Sequence, residues 1–353
     1  QVNSHRLIIQ IPSKLLRWLV VTLVRVCYFI VKVWLALRHS LSLSIRKENS
    51  GVIHVVVPTV VLVQTPPAVP FVPLVKVARL FYSVVNLAVC GMIRCQLPLP
   101  DPLLIVDWHN FGFTLLQIDK RPSWIVSIYR WCEKYLCEGD YNLTVSNAMK
   151  QALKLRTGHP QVGPFSLKHP VRVLYDAAPS FFKPVEKRVF LERLSNGFPI
   201  QTDRTPEWFL NEGNGLTIVS STSWGSDDDY SMVLEALVRV DAALCNSDST
   251  CNIWLVVTGR GPTRAKFEEQ VSRTSFSSAI KISTVYFQSF LDYSLMLGVA
   301  DIGLSVHFSS SGLDLPMKCV DMLGAGLPVA AVEYATLSEL ITNDKGWTFR
   351  TAE

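Results

Sequence analysis

The strongest constraint on the fold of this chain is a regular alternation of apolar strands and helices after residue 215. Successive segments read as strand, helix, strand, and they cover residues 216–220, 230–244, 253–257, 263–271, 282–287, 291–297, 302–307, 315–323 and 328–332. Strands that alternate with helices form a parallel sheet with helices on both faces. The sequence therefore predicts an α/β fold for this part of the chain.

The length of the chain predicts two domains. A chain of 353 residues is too long for one ordinary domain and suits two. Charged residues, proline and glycine accumulate between residues 184 and 214, which is typical of a linker or a surface excursion. We therefore predict an N-terminal domain over residues 1–183, a linker over 184–214 and a C-terminal domain over 215–353.

The composition and an N-terminal segment point to contact with lipid. The chain is 49% hydrophobic, and its net charge of +5 lies largely in the first fifty residues, so no nucleic-acid partner is predicted. Residues 14–38 are apolar, but Lys14, Arg17, Arg25, Lys32 and Arg38 fall within roughly 140° of one another on a helix. This stripe favours a basic amphipathic helix lying on a membrane surface.

Other interpretations of these apolar segments stay open. Residues 14–38 have the length of a membrane span, or they form a core helix that extends its cations to solvent. Residues 72–93 form either a crossover helix or a second membrane contact. The sequence does not decide between these alternatives.

Three strand-to-helix turns of the C-terminal domain carry groups that suit a nucleoside diphosphate. Residues 221–226 offer hydroxyl and backbone N–H groups, and residues 259–262 add the guanidinium of Arg260, whose fork suits phosphate oxygens. Residues 309–314 precede a helix with Asp314 as its predicted N-cap, and a helix N-terminus attracts anions. Because the carboxyl ends of parallel strands share one edge of a sheet, one ligand can contact all three turns.

A strand of the N-terminal domain ends in a candidate general base. The apolar run 103–108 delivers Asp107 and His109 at its carboxyl end, where ligands bind in open α/β sheets. The alternative is a structural histidine beside an aromatic residue. Groups of His, Asp and Glu lack metal-ligand spacing, and the eight cysteines lack the spacing of a zinc site. We therefore predict no metal and a reducing compartment.

Several strings of the sequence resemble one family of glycosyltransferases. Residues 309–318 read Ser-Ser-Ser-Gly-Leu-Asp-Leu-Pro-Met-Lys, and further matching strings occupy residues 106–110, 145–149, 175–182, 220–224 and 259–262. In this order they resemble the chitobiosyldiphosphodolichol beta-mannosyltransferases, which add the first mannose to the dolichol-linked oligosaccharide. The resemblance extends over most of the chain, from about residue 101 to residue 346.

The resemblance implies a fold and an activity. The fold is GT-B, in which two Rossmann-like domains face a cleft. The first domain is expected to be incomplete, because a further strand and a glycine-rich turn would precede Gln1. Closing helices would follow Glu353. The activity is inverting transfer of mannose from GDP-mannose to dolichyl-diphosphate chitobiose in a beta-1,4 linkage. The implied location is the cytosolic face of the endoplasmic reticulum membrane, with other mannosyltransferases of the pathway as further partners and no tightly bound cofactor.

The resemblance also implies roles for individual residues. Most of them bind the donor. The residues that meet the diphosphate are Ser221, Thr222, Ser223, Trp224, Arg260 and Gly261, and those that line the same pocket are Ser310, Ser311, Gly312 and Asp314. Lys318 adds a positive charge, and Asp321 is the ribose-binding carboxylate. His109 and Asp107 are the catalytic candidates. Related transferases carry a glutamate where this chain has Leu313, which leaves the sugar contact unassigned. Rival interpretations are a non-catalytic scaffold subunit and a transferase for another lipid-linked acceptor.

Overall fold

The computed structural model describes most of the chain as two compact units. The described residues are 32, 35, 45–47, 53–55, 60–92, 101–155, 159–160, 162–200, 205–211, 213–225, 228–246 and 251–352. The first unit comprises Gln1–Phe113, Trp124–Leu143 and Leu167–Pro170, and the second comprises Thr114–Ser123, Thr144–Ser166 and Val171–Glu353. The helix predicted for residues 14–38 lies outside the described residues, apart from positions 32 and 35.

The N-terminal half of the chain contains a four-stranded sheet. Its elements are β1 Ile45–Lys47, β2 Ile53–Val55, β3 Val60–Thr65, α1 Phe71–Met92, β4 Leu103–Trp108, α2 Gly112–Ile118, α3 Ser123–Leu136, β5 Tyr141–Thr144, α4 Asn147–Lys154 and β6 Val171–Val173. The sheet order is β3, β4, β5, β6, and β1 pairs separately with β2. Strand β4 alternates buried and half-buried positions, with Leu104, Val106 and Trp108 inward, as the two-residue period of a strand requires.

Helix α1 connects two parallel neighbours of this sheet. Strands β3 and β4 run parallel in the register Val60↔Leu103 to Thr65↔Trp108, so the chain must cross over between them, and α1 makes that crossover. The crossover interpretation of residues 72–93 is therefore confirmed for this helix, and a membrane contact of its exposed face stays a prediction. None of the helices that the structure describes combines the length and apolarity needed to cross a membrane.

The second half of the chain contains a six-stranded sheet. Its elements are α5 Lys187–Ser195, α6 Glu207–Leu210, β7 Gly215–Ser221, α7 Tyr230–Cys245, β8 Asn252–Thr258, α8 Arg264–Arg273, β9 Ile280–Val285, α9 Phe290–Val299, β10 Ile302–Ser305, α10 Met317–Gly324, β11 Val329–Val332, a 3-10 helix Ala335–Glu339 and β12 Gly346–Phe349. The sheet order is β12, β11, β10, β7, β8, β9. The predicted alternation of strands and helices and the α/β class are confirmed.

Two apolar clusters cover the faces of this sheet. One cluster includes Trp224, Tyr230 and Phe267, and the other includes Trp254, Met296 and Met322. The run Ile253–Val257 within β8 is buried throughout, because a parallel strand covered on both faces carries apolar side chains in both directions.

The segment predicted as a linker instead belongs to the core of the second unit. Phe190 and Leu194 of α5, Phe198 and Phe209 are buried, and the ring of Phe190 lies edge-on to the rings of Phe198 and Phe209 at 4.9 and 5.8 Å. Short helices with widely spaced aromatic residues produce a weak apolar pattern in the sequence. The surface-excursion interpretation of residues 184–214 is therefore wrong for its described residues.

Candidate functional site

The site is organised around a reversal of strand order in the second unit. From β7 the chain proceeds outward through β8 to β9, and it then returns to the other side of β7 to form β10, which pairs with β7 in parallel. In open α/β sheets ligands bind beside the carboxyl ends of the two strands at such a switch point. The turns after β7 and β10, both predicted as donor-binding, therefore flank this crevice.

The turns after β7 and β8 contact each other through their backbones. Thr222 N donates to Thr258 O at 2.9 Å, and Thr263 N donates to Trp224 O at 3.3 Å. Gly259 has a φ of +145°, and a Cβ there would lie 1.7 Å from Thr222 O. Only glycine fits this position. Backbone hydrogen bonds thus join two of the three predicted turns.

Side chains of the first turn divide between the crevice and the core. Ser221 Oγ lies 2.8 Å from the hydroxyl of Tyr293, and Thr222 Oγ1 donates to Asp228 Oδ2 at 2.6 Å. Ser223 and Arg260 are exposed. Trp224 is 1% exposed and belongs to the apolar cluster beneath the turn, so its ring has primarily a packing role that the sequence did not predict.

A charged cluster joins the turn after β7 to helix α10. Asp228, whose side chain is 1% exposed, lies 2.7 Å from Lys318 Nζ through its Oδ1 atom. His307 follows β10, and its ring lies 3.9 Å from Asp228 Oδ1 and 3.6 Å from Asp314 Oδ2. A buried carboxylate that holds an ammonium fixes the position of that cation. Lys318, predicted to face phosphate, is thus oriented by Asp228.

The turn after β10 closes on its own side chains. The Asp314 carboxylate accepts from the hydroxyls of Ser309 and Ser311, and Gly312 N donates to Ser309 Oγ at 2.7 Å. Ser310 Oγ lies 2.9 Å from Thr114 Oγ1. The prediction that Asp314 caps the next helix is wrong, because its carboxylate is engaged within the turn and the helix begins at Met317 after an extended Pro316.

A pocket of about 460 Å³ opens beside the first turn. Its lining includes Trp224, Asp228, Lys266, Gln270 and Phe308. Trp224 Nε1 is buried and has no hydrogen-bond partner in the part of the chain that the structure describes. The volume lies in the range of small-molecule sites. The cation of Lys266 and the amide of Gln270 are groups that bind the oxygen atoms of a polar ligand.

Asp321, the predicted ribose-binding carboxylate, lies on α10 in a half-buried position. Burial raises the pKa of this carboxyl from 3.8 to about 6. Folding therefore disfavours the ionised carboxylate. The contribution of Asp321 to the free energy of unfolding rises as the pH falls through about 6, because the carboxyl becomes protonated in the folded protein there.

Replacing Asp321 with asparagine is expected to raise the free energy of unfolding by about 1 kcal/mol at about pH 7.5, after allowance for solvent screening. The gain should vanish near pH 4, where the wild-type carboxyl is protonated as well. Urea denaturation at the two pH values measures both effects. A destabilised variant at pH 7.5 would contradict the assigned environment.

The catalytic candidates belong to the first unit. His109 Nε2 lies 3.0 Å from Asp107 Oδ2 and 3.0 Å from Gln64 Nε2, and His109 N donates to Thr65 O at 3.0 Å, which extends the pairing of β3 with β4. A proton on Nε2 that points to Asp107 requires the Gln64 amide to turn its oxygen, and not its nitrogen, toward the ring, and the imidazole then acts as a base through Nδ1. The structure thus brings the two predicted residues together as a His–Asp pair.

A buried carboxylate that the sequence did not predict supports the turn after β4. Glu133 of α3 accepts from Gly112 N at 2.8 Å and from Phe113 N at 3.2 Å, which satisfies free N–H groups at the start of α2. Burial raises the pKa of Glu133 to about 7. The sequence signal that could have identified Glu133 is its helical spacing from Val126 and Tyr129, which places an acidic side chain on the same helix face as these residues.

Asp228 and His307 are further members of the site that the sequence did not predict. The neighbouring Asp229 caps α7, where it accepts from Ser231 N at 3.0 Å. Within the described ranges, no group of His, Cys, Asp and Glu side chains has the arrangement of a metal site. The expectation of transfer without a metal stays a prediction.

Comparison with known proteins identifies homologues of this chain. No protein-family model matches the chain. It is 32% identical over 293 residues to human chitobiosyldiphosphodolichol beta-mannosyltransferase, covering 76% of this chain and 60% of that protein. The human, mouse and Dictyostelium chitobiosyldiphosphodolichol beta-mannosyltransferases are homologues of this chain. The resemblance stated from the sequence motifs is therefore confirmed.

A plant protein and a solved bacterial structure are also similar to this chain. The chain is 32% identical over 333 residues to the UDP-glycosyltransferase TURAN of Arabidopsis thaliana, covering 83% of this chain and 65% of that protein. An alpha,alpha-trehalose-phosphate synthase from Burkholderia xenovorans is similar in structure at a TM-score of 0.48 and 12% identity, over 90% of this chain and 66% of that one. The chain thus spans 60% to 65% of the length of the two curated relatives named here.

Proposed function

We propose that this chain transfers mannose from GDP-mannose to dolichyl-diphosphate chitobiose, with inversion to a beta-1,4 linkage, on the cytosolic face of the endoplasmic reticulum membrane. Homology to the human and mouse enzymes supports the reaction class. The observation that carries the donor assignment is the meeting of the turns after β7 and β10 at the switch point, with the turn after β8 in backbone contact with the first.

The donor diphosphate is held by the second unit. The exposed guanidinium of Arg260 and the exposed hydroxyl of Ser223 contact phosphate oxygens, which are strong acceptors of charge-assisted hydrogen bonds. Lys318 supplies a further cation whose position is fixed by Asp228. These fixed positive groups stabilise the charge that develops on the departing GDP as its bond to the sugar breaks.

The acceptor is activated by the first unit. His109 Nδ1 takes the proton of the acceptor hydroxyl while that oxygen forms its bond to the anomeric carbon of mannose. Asp107, 3.0 Å from the other ring nitrogen, orients the imidazole and stabilises the imidazolium that results. Attack on the face opposite the leaving diphosphate inverts the anomeric configuration.

Replacing Arg260 with alanine is expected to weaken GDP-mannose binding by about 1–3 kcal/mol, the loss of a charge-assisted hydrogen bond. Titration calorimetry with GDP and GDP-mannose measures the change. The matched control is Arg273→Ala, because Arg273 is an exposed arginine of the same unit that pairs with Glu269 on the surface of α8. Equal affinities for wild type and Arg260→Ala would remove Arg260 from the site.

The nucleotide preference tests the donor assignment. The name of one relative, UDP-glycosyltransferase TURAN, supports a uridine donor as the second candidate. Calorimetric titration of the purified chain with GDP, UDP and ADP separates the two. We expect GDP to bind at least about tenfold more tightly than UDP, a difference of about 1.4 kcal/mol. Tighter binding of UDP would replace the proposed donor.

A further inference from the structure

Helix α3 has two faces of opposite character. Four large apolar side chains, spaced four, three and four residues apart, share one face of the helix. All four are exposed: Trp124 at 65%, Ile128 at 56%, Trp131 at 55% and Tyr135 at 57%. We call them the aromatic stripe. A stripe of this size on one helix marks a surface that binds a partner or a membrane, since single exposed apolar residues are ordinary but contiguous ones are not.

The opposite face of α3 fixes the helix in the first unit. Glu133 accepts from the N–H groups of Gly112 and Phe113, and a Cβ at Gly112 would lie 2.6 Å from Cε1 of Tyr129. The Tyr129 hydroxyl lies 3.3 Å from Val69 O. The inward face is therefore committed to packing, and the aromatic stripe points away from the sheet.

Helix α1 presents a second exposed apolar stripe on the same side of the sheet. Val77, Leu80, Phe81 and Val84 are exposed and share one helix face. Strands β3, β4 and β5 lie side by side in the sheet in the same order as in the chain. Right-handed crossovers between such strands place the connecting helices on one face of the sheet. The Tyr129 contact with Val69, two residues before α1, agrees with this placement. The two stripes extend one apolar surface.

The chemistry of this surface fits a bilayer with anionic head groups. Tryptophan and tyrosine are the side chains enriched at the level of lipid head groups. Among residues 124–136 of the first unit, all of which are described, the cations are Arg130 and Lys134, whereas the one carboxylate is the buried Glu133. The Lys134 ammonium lies 4.9 Å from the ring of Tyr135. Apolar rings beside an excess of cations are typical of helices that lie in a membrane interface.

We propose that the aromatic stripe of α3, extended by the exposed stripe of α1, docks on the surface of an anionic lipid bilayer. The residues of this surface are different from those of the basic segment 14–38. The helix that bears the stripe also holds Gly112 and Phe113, three and four residues after His109, through Glu133, so docking orients the turn after β4 relative to the lipid. That consequence for catalysis rests on the proposed function, whereas the docking itself does not.

Vesicle binding by the full chain tests the docking. The variant Trp124→Ser/Ile128→Ser/Trp131→Ser replaces three of the four exposed side chains of the aromatic stripe and leaves the sequence of residues 14–38 unchanged. We expect its partition onto vesicles of phosphatidylcholine and phosphatidylserine to fall at least about tenfold. Thermal unfolding checks that the variant folds. Partition equal to that of the wild type would overturn the proposal.

Two further variants separate specific docking from general stickiness. The control Phe290→Ser/Leu291→Ser removes two equally exposed apolar side chains of the second unit, and it should bind vesicles like the wild type. Lys134→Glu, a charge reversal on α3 beside Tyr135, should lose part of the gain that phosphatidylserine gives over pure phosphatidylcholine. A control that loses as much binding as the stripe variant, or a charge variant that keeps the full gain, would overturn the proposal. GDP titration of the same variants reports on the donor site independently.

Discussion

Replacing Gly259 with alanine is expected to lower the free energy of unfolding of the second unit by about 2–5 kcal/mol, from a strained backbone and an overpacked contact. The new methyl group would lie 1.7 Å from Thr222 O at a φ of +145°. Because both groups belong to backbone turns, relief requires the turns after β7 and β8 to separate. GDP binding should then be lost together with stability. Urea denaturation followed by circular dichroism measures the first effect, and calorimetry the second.

The matched control for this variant is Gly197→Ala. Gly197 also has a positive φ, +86°, but no described heavy atom lies within 4 Å of the position that a Cβ would take there. The variant should therefore show only the backbone cost of about 1–2 kcal/mol and bind GDP normally. If the two alanine variants were equally stable, close contact between the turns would not be a feature of the folded protein.

Replacing His109 with alanine is expected to lower kcat by about 10²–10⁴-fold, the usual contribution of a general base. The affinity for GDP should not change, because the donor-binding turns belong to the second unit. Asp107→Asn should lower kcat less, since the imidazole remains but loses the carboxylate 3.0 Å away. Steady-state transfer of labelled mannose measures kcat and KM for both variants.

His169→Ala is the matched control for the loss of a histidine, because His169 is exposed and lies outside the pair. Its kcat should equal that of the wild type. A pH profile of kcat adds a second test. A general base acts only in its unprotonated form, so kcat should fall on the acidic side for the wild type, and His109→Ala should lack this fall. Wild-type kcat in His109→Ala would assign the base to another residue.

The sequence was sufficient for the elements of the second sheet because their signals are local. A buried run such as Ile253–Val257 within β8 predicts a strand with no knowledge of its neighbours. The switch point followed less directly, since strand order depends on pairing between distant segments. That β10 returns to pair with β7 is a property of the whole sheet.

The details of the site were not predictable because they depend on long-range partners. Asp228 and Lys318 are ninety residues apart in the chain, so nothing near either residue signals the pair. Trp224 sits in a turn whose hydroxyl neighbours suggest a ligand, yet the ring packs against Tyr230 and Phe267 at 4.9 and 5.2 Å. Asp314 meets the local rule for an N-cap and instead binds serines of its own turn.

The measurement that tests the proposed function most directly is transfer of labelled mannose from GDP-mannose to dolichyl-diphosphate chitobiose by the purified chain. We expect an extractable lipid-linked product with one added beta-mannose, and a much slower reaction for His109→Ala. Product on a different lipid-linked acceptor alone would contradict the proposed substrate. GDP-mannose binding without any product, at affinities that Arg260→Ala weakens, would contradict the proposed enzyme and favour a scaffold subunit.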